Sequence, residues 1–185
     1  MSNTADVLQV HKSRAADGGE SEKGFAYVPP GEGTRSLWVF DELVTHKIPS
    51  HHTGGAYSLF EVTTEPGAGP PPHVNHREDE SFYVLEGEYE FLSGTETIRA
   101  GAGSLLYVPK GTLHSHENVG DGAGRMLVSQ TPGGLYERLF EELGKETNGD
   151  DAEPPVFEDR PDARKIVTVA ARYGIEIPPP DPKVP

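Results

Sequence analysis

GAGPPPHVNHREDESFYVLEG, residues 67–87, and GSLLYVPKGTLHSHEN, residues 103–118, are the stretches on which the fold turns. Each sets glycine and proline around a short run rich in Val, Leu, Phe or Tyr, the composition of a strand bounded by turns. Side chains alternate faces along a strand, so His73 and Asn75 point one way while Val74 and His76 point the other. By the same rule Glu80, Phe82 and Val84 share a face, as do His114, His116 and Asn118. If those faces line an interior, each unpaired polar group there costs roughly 1–3 kcal/mol, and a buried carboxylate needs a cation or donors. Two imidazoles with one carboxylate are the 2-His-1-carboxylate set that suits Fe(II) and related divalent ions while leaving positions open. A metal explains such a convergence more simply than chance.

Outward from these stretches, alternating or apolar runs separated by Gly-rich turns predict strands near residues 36–40, 43–48, 56–64, 80–85, 88–92, 104–108, 114–118 and 125–130. That spacing suits an all-β sandwich or barrel. After Thr131-Pro132-Gly133-Gly134 the period changes. Leu135, Tyr136, Leu139, Phe140 and Leu143 form one helical stripe that Gly144 can end, and Ile166, Val169, Ala170 and Tyr173 form another over residues 162–173. The expected organisation is a flexible arm over residues 1–23, a barrel over 24–132, and a helical extension over 133–185. That extension includes an acidic, Pro-rich linker at 146–159 and a Pro-rich tail.

The chain has 185 residues, no cysteine and a formal net charge of −14. Disulfides and thiolate metal sites are excluded. The charge argues against nucleic acid, whose phosphates call for a basic stripe. No stretch approaches the roughly 18 apolar residues of a membrane span, and no secretory signal is visible, so a soluble, cytoplasmic protein is expected.

The two stretches resemble the paired signature motifs of the cupin superfamily. The first motif is matched by Gly67, His73, Glu80 and Gly87, with Asn75 standing where that family has a second histidine. The second is matched throughout by Gly103, Pro109, Gly111, His114 and Asn118. The resemblance, which covers about residues 37–130, implies a jelly-roll β-barrel (a double-stranded β-helix) with C-terminal helices added. It also implies one divalent metal ion (Fe, Mn, Co, Ni or Zn) held by His73, Glu80 and His114. Asn75 leaves three readings open: metal on those three residues alone, a fourth nitrogen from His76 or, better placed, His116, or a site turned to another role. Pro70-Pro71-Pro72-His73, residues 80–87 and residues 132–138 look more narrowly like single-cupin quercetin dioxygenase-like proteins. That likeness implies an oxygenase acting on a small aromatic or enolic substrate, with Glu80 as ligand and catalytic base. A cyclase or isomerase without redox, or a small-molecule-binding cupin, is the alternative. A homodimer is expected, on the cupin resemblance and on the two helical stripes, which supply surface to bury.

Other residues read more plainly. His51 and His52 are expected in an exposed loop, while His46 could line the cavity. Glu78 and Asp79 are expected on a solvated turn, and Glu137, Glu141 and Glu142 on the wet side of a helix. Phe60, Phe82, Tyr89, Phe91 and Tyr107 are core or barrel-wall candidates first. Residues 67–72 are no phosphate loop, since prolines lack the N–H groups to cradle phosphate.

Overall fold

The computed structural model describes residues 9–14, 20–147 and 163–179. An antiparallel ribbon comes first, β1 (Gln9–Arg14) against β2 (Glu20–Tyr27). Next come β3 (Arg35–Val39), β4 (Glu42–Ile48) and β5 (Ser58–Thr64), each antiparallel to the one before, with a 3-10 turn at Ser50–His52. The strands β6 (His73–Asn75), β7 (Asp79–Glu86), β8 (Glu88–Ser93), β9 (Glu96–Gly101), β10 (Leu105–Val108), β11 (Leu113–Asn118) and β12 (Gly124–Thr131) follow. The chain then runs through α1 (Leu135–Leu143), β13 (Lys145–Thr147), α2 (Ala163–Arg172) and β14 (Ile175–Glu176).

Two antiparallel sheets face each other. One has seven strands in the order β10-β7-β12-β5-β4-β3-β13, the other five in the order β14-β6-β11-β8-β9. The chain crosses between them at β5 to β6, β6 to β7, β7 to β8, β9 to β10, β10 to β11 and β11 to β12, the crossing pattern of a jelly roll. The crossing positions the site: His73 and His114, paired across β6 and β11, come from one sheet and Glu80 from the other. At the β7–β8 corner a Cβ on Gly87 would lie 2.8 Å from the Gly124 Cα, so only glycine lets the two segments approach.

Period-2 burial drives the sheets together. Strand β5 alternates buried and half-buried residues from end to end, and β12 alternates along most of its length. Phe60, Val62, Phe82, Val84, Phe91, Met126 and Val128 meet between the sheets. The helical stripes also form as the spacing predicts. Tyr136, Leu139 and Leu143 of α1 and Val169 and Ala170 of α2 are buried in the same core. Gly144 ends α1 with its N–H on the Phe140 carbonyl at 2.7 Å, and Gly174, at φ 81°, stops the chain after α2. The segment beyond then pairs Ile175 with Asn75, so β14 extends the sheet that carries the site.

Several expectations are corrected. Part of the expected arm is the β1–β2 ribbon, while residues 1–8 lie outside the described residues. Strand β9 lies between the strands predicted near 88–92 and 104–108, where no strand was expected. It is an edge strand, largely exposed, so its side chains are polar and the apolar alternation is missing. The expected linker begins inside β13, which pairs with β3, and its remainder lies outside the described residues, as do residues 180–185 of the tail. Tyr107 is 63% exposed and belongs to no core. The helical stripes pack on their own barrel, so they are not the free surface on which the homodimer was argued. Among the described residues no helix is long and apolar enough to cross a membrane.

Candidate metal centre

His73, Glu80 and His114 are all buried, and one ligand atom from each lies within 4.8 Å of the others. Both imidazoles are aimed by their own backbone. His73 Nδ1 donates to the Pro71 carbonyl at 3.0 Å and His114 Nδ1 to the Thr112 carbonyl at 3.0 Å. Each carbonyl can only accept, so each Nδ1 carries hydrogen and each Nε2 is turned toward the group, the outer-shell arrangement that metal-binding histidines use. Proline explains part of this: the fixed φ of Pro70, Pro71 and Pro72 stiffens the approach to β6 and holds the Pro71 carbonyl two residues ahead of His73.

Glu80 is held on both oxygens. Its Oε2 accepts from Asn75 Nδ2 at 2.6 Å and lies 2.7 Å from His114 Nε2, while Oε1 accepts from Gln130 Nε2 at 2.8 Å. Burial alone would raise its pKa, but the His114 hydrogen bond and the imidazole charges overcome that and leave it below the ordinary carboxylate value. The counterpart is His114, where burial opposes charge and the Glu80 contacts outweigh it, so its pKa is raised. His73 is lowered to about 4, first by burial and then by His114, which keeps it a neutral lone-pair donor.

A divalent ion fits this set on three observations. The donors are two imidazoles and a carboxylate, the backbone anchors occupy both Nδ1 atoms and so turn both Nε2 atoms toward the group, and the proton shared between His114 and Glu80 is one a cation would displace. Asn75 does not point to a fourth ligand. Its amide donates to Glu80 and its Oδ1 accepts from the Tyr136 hydroxyl at 2.8 Å.

The other candidates separate. His76 faces outward and pairs with Glu176 at 2.8 Å, with about half its side chain exposed. His116 is buried on the inner face, but its Nε2 lies 2.9 Å from Glu42 Oε1, and it is outside the three-residue group. Buried His46 packs edge-on against Phe60 at 4.9 Å between ring centroids, with Nε2 unpartnered, and does not line the cavity beside the His73, Glu80 and His114 group. His51 and His52 are exposed, as expected.

Two acidic expectations are overturned. Glu78 is 2% exposed and its pKa is raised to about 8, by burial first and then by the Glu80 charge. The sequence places it on a turn, but the turn is folded under α1. Glu137 is not simply on a wet face either: its Oε1 accepts from the Ser50 N–H at 2.6 Å and the Ser58 hydroxyl at 2.5 Å, which staples α1 to the 3-10 turn.

Gln130 and Tyr136 were missed from sequence. The signal for Gln130 was its place: residues 124, 126, 128 and 130 are the buried side of β12, and a glutamine ending an inward series demands a partner. Tyr136 was absorbed into the helical stripe, yet its hydroxyl reaches Asn75 and lies 3.2 Å from His73 Nε2. A buried tyrosine needs a partner for its hydroxyl, which was the available clue.

A cavity of about 350 Å³ opens beside these groups. His73, Glu80, Gln130 and Tyr136 form its polar floor, and Val44, Val62, Phe82, Val128, Leu139 and Phe140 much of its wall. Two facing antiparallel sheets, a jelly-roll crossing and a His/Glu/His group set between the sheets define a small barrel whose interior could hold a metal ion. The Cupin domain family matches residues 60–129, and the chain belongs to the cupin family. It is 29% identical over 119 residues to the quercetin 2,3-dioxygenase of Bacillus subtilis (strain 168), covering 64% of this chain and 34% of that one. An uncharacterised protein of Streptomyces coelicolor is 30% identical over 78 residues, 42% of this chain and 69% of its own length. The fold matches the Schizosaccharomyces pombe Cnp3 cupin domain with a TM-score of 0.54 at 18% identity, over 75% of this chain and 96% of that domain. The chain spans between a third and a half of the length of the longer curated relatives it matches.

Proposed function

We propose that this chain is a metal-dependent cupin enzyme acting on a small aromatic or enolic molecule, by oxygenase chemistry of the quercetin 2,3-dioxygenase kind. The observation that carries the proposal is the convergence of His73, Glu80 and His114 beside a largely apolar cavity of about 350 Å³, a size suited to one small ligand. A divalent ion bound there supplies Lewis acidity toward an enolate or phenolate oxygen and, if redox-active, a path for electrons to O2.

The chain's own residues do the rest. Asn75 and Gln130 hold Glu80 as a carboxylate, so its role is that of ligand more than base: a base with a depressed pKa takes a proton poorly. Pro71 and Thr112 aim the imidazoles. Tyr136, whose burial keeps its proton on, fixes Asn75 and sits beside His73. Phe82, Leu139 and Phe140 keep water from the ring of a bound substrate.

Oxygen uptake tests this reading. The purified chain, loaded anaerobically with Fe, Mn, Co or Ni and then given O2, is expected to consume it with flavonols or related enols, and no uptake across the panel removes the oxygenase. A second reading, a cyclase or isomerase without redox, is favoured by one observation: a phenol–amide pair, Tyr136 with Asn75, stands where the family has an imidazole. Turnover that proceeds unchanged without O2 decides for it. We also infer a homodimer, on the cupin resemblance alone, which sedimentation at micromolar concentration tests.

A further inference from the structure

His116 lies two residues beyond His114 on the same inner face of β11, and nothing in the metal-type group uses it. Its ring is enclosed by Phe82, Phe91 and Tyr89 at centroid distances of 5.7, 5.8 and 6.1 Å. Its Nε2 is 2.9 Å from Glu42 Oε1 on β4, and that oxygen also accepts from the Thr64 hydroxyl at 3.0 Å. The pair thus joins the two sheets. Both residues line the same cavity as His73 and Glu80. A second cavity, of about 420 Å³, also touches His116 from beyond the Gly69–Pro71 segment.

A structural tie does not account well for this pair. A buried hydrogen-bonded polar pair contributes little net stability compared with well-packed apolar residues, and the surrounding wall is apolar. A carboxylate and an imidazole set in such a wall are instead what a ligand's polar end requires. Two residues along a strand span ~6.6 Å, so the His114 and His116 positions stand apart by a little more than the two oxygens of a para-diol. Their chemistry is complementary. The three-residue group takes an anionic or metal-bound oxygen. Glu42 is an acceptor only, and with the His116 Nε2 hydrogen turned to Glu42, Nδ1 is that ring's remaining acceptor.

We propose that Glu42 and His116 are the specificity contact of this cavity, an acceptor pair that binds the far hydroxyl of an aromatic diol whose near oxygen faces His73 and Glu80. The inference rests on the cavity being the substrate site and not on the redox character of the reaction.

The test is calorimetry on the full chain loaded with redox-inert zinc, without oxygen, using hydroquinone and 4-methoxyphenol as probes. The two share the ring and the near hydroxyl; the second replaces the far O–H hydrogen with a methyl group, so its far oxygen cannot donate. Wild type is expected to favour hydroquinone about 10-fold, which is about 1.4 kcal/mol. In Glu42→Leu and in His116→Phe that ratio falls toward one, with zinc content and melting temperature held. Glu42→Gln, the conservative change, serves if either variant fails to fold and is expected to keep an intermediate ratio. A wild-type ratio near one, a ratio unchanged in the variants, or a ratio lost only together with zinc and thermal stability overturns the proposal. If wild type takes up no zinc, the metal reading fails by itself, and the same ratio on the zinc-free chain still decides for or against the pair.

Discussion

Glu80 is the residue on which the others converge, and its partners set what a single substitution does. Gln130→Leu removes the donor to Oε1 and leaves a buried carboxylate oxygen unpaired, a loss of about 1–3 kcal/mol. Metal affinity should fall with it by about 10–100-fold, as for other groups that orient a ligand. Chemical denaturation and competition with a chelator measure the two effects. His46 makes the opposite case, a buried histidine with an unpartnered Nε2. Burial lowers its pKa from 6.5 to about 4. The unfolded chain therefore takes up this proton first as pH falls, so stability present above pH 6.5 is lost progressively down to about pH 4. His46→Leu should stabilise the chain more at pH 5 than at pH 8. The loss of stability between pH 6.5 and pH 4 should be smaller in the variant, with His73, lowered over the same range, still adding to that loss and Glu78, raised to about 8, opposing it. Equal gains at both pH values would refute this account.

At the scale of elements, the segment before β6 does two jobs. Pro70 to Pro72 stiffen the approach that aims His73, and Gly69 presses against the His116 carbonyl so closely that no Cβ can be accommodated. Gly67 donates to the Asn118 carbonyl and Asn118 to the Ala68 carbonyl, at 2.8 and 3.0 Å, which ties this segment to β11. Gly69→Ala should cost about 1–3 kcal/mol of stability. It should also weaken metal binding, because the displaced backbone carries His73 on one side and His116 on the other. A melting curve and metal titration like those of wild type would show the segment to be more yielding than its packing implies. The helices were legible in sequence nearly residue for residue, because a 3.6 period with a glycine stop is local information. Strand β9 and the two-residue β14 were not, since one is a polar edge and the other forms only by pairing with Val74 and Asn75.

At the scale of the whole molecule, an ion that binds only the folded chain stabilises it by mass action, about 2.7 kcal/mol at a hundred times its dissociation constant. Titrating Zn, Mn or Co into the chelator-treated chain should raise the melting temperature, and His73→Ala or His114→Ala should abolish the rise. A rise that survives both substitutions would place the ion elsewhere. Binding should also release protons, since His114 holds one in the metal-free chain that a cation would replace.

The sequence by itself determined the cupin barrel, the two capping helices, and the three residues that meet between the sheets. Each of these is written as a local pattern, in alternation, helical period or fixed spacing between glycines and histidines. Only the tertiary structure decided what surrounds them: Gln130 and Tyr136 at Glu80 and His73, Asn75 as a donor instead of a ligand, Glu78 buried, and His116 turned to Glu42. Those pairings join residues 5 to 74 positions apart across two sheets and a helix. A hydrogen bond between such residues exists because of where the packed elements put them, and no spacing along the chain records it.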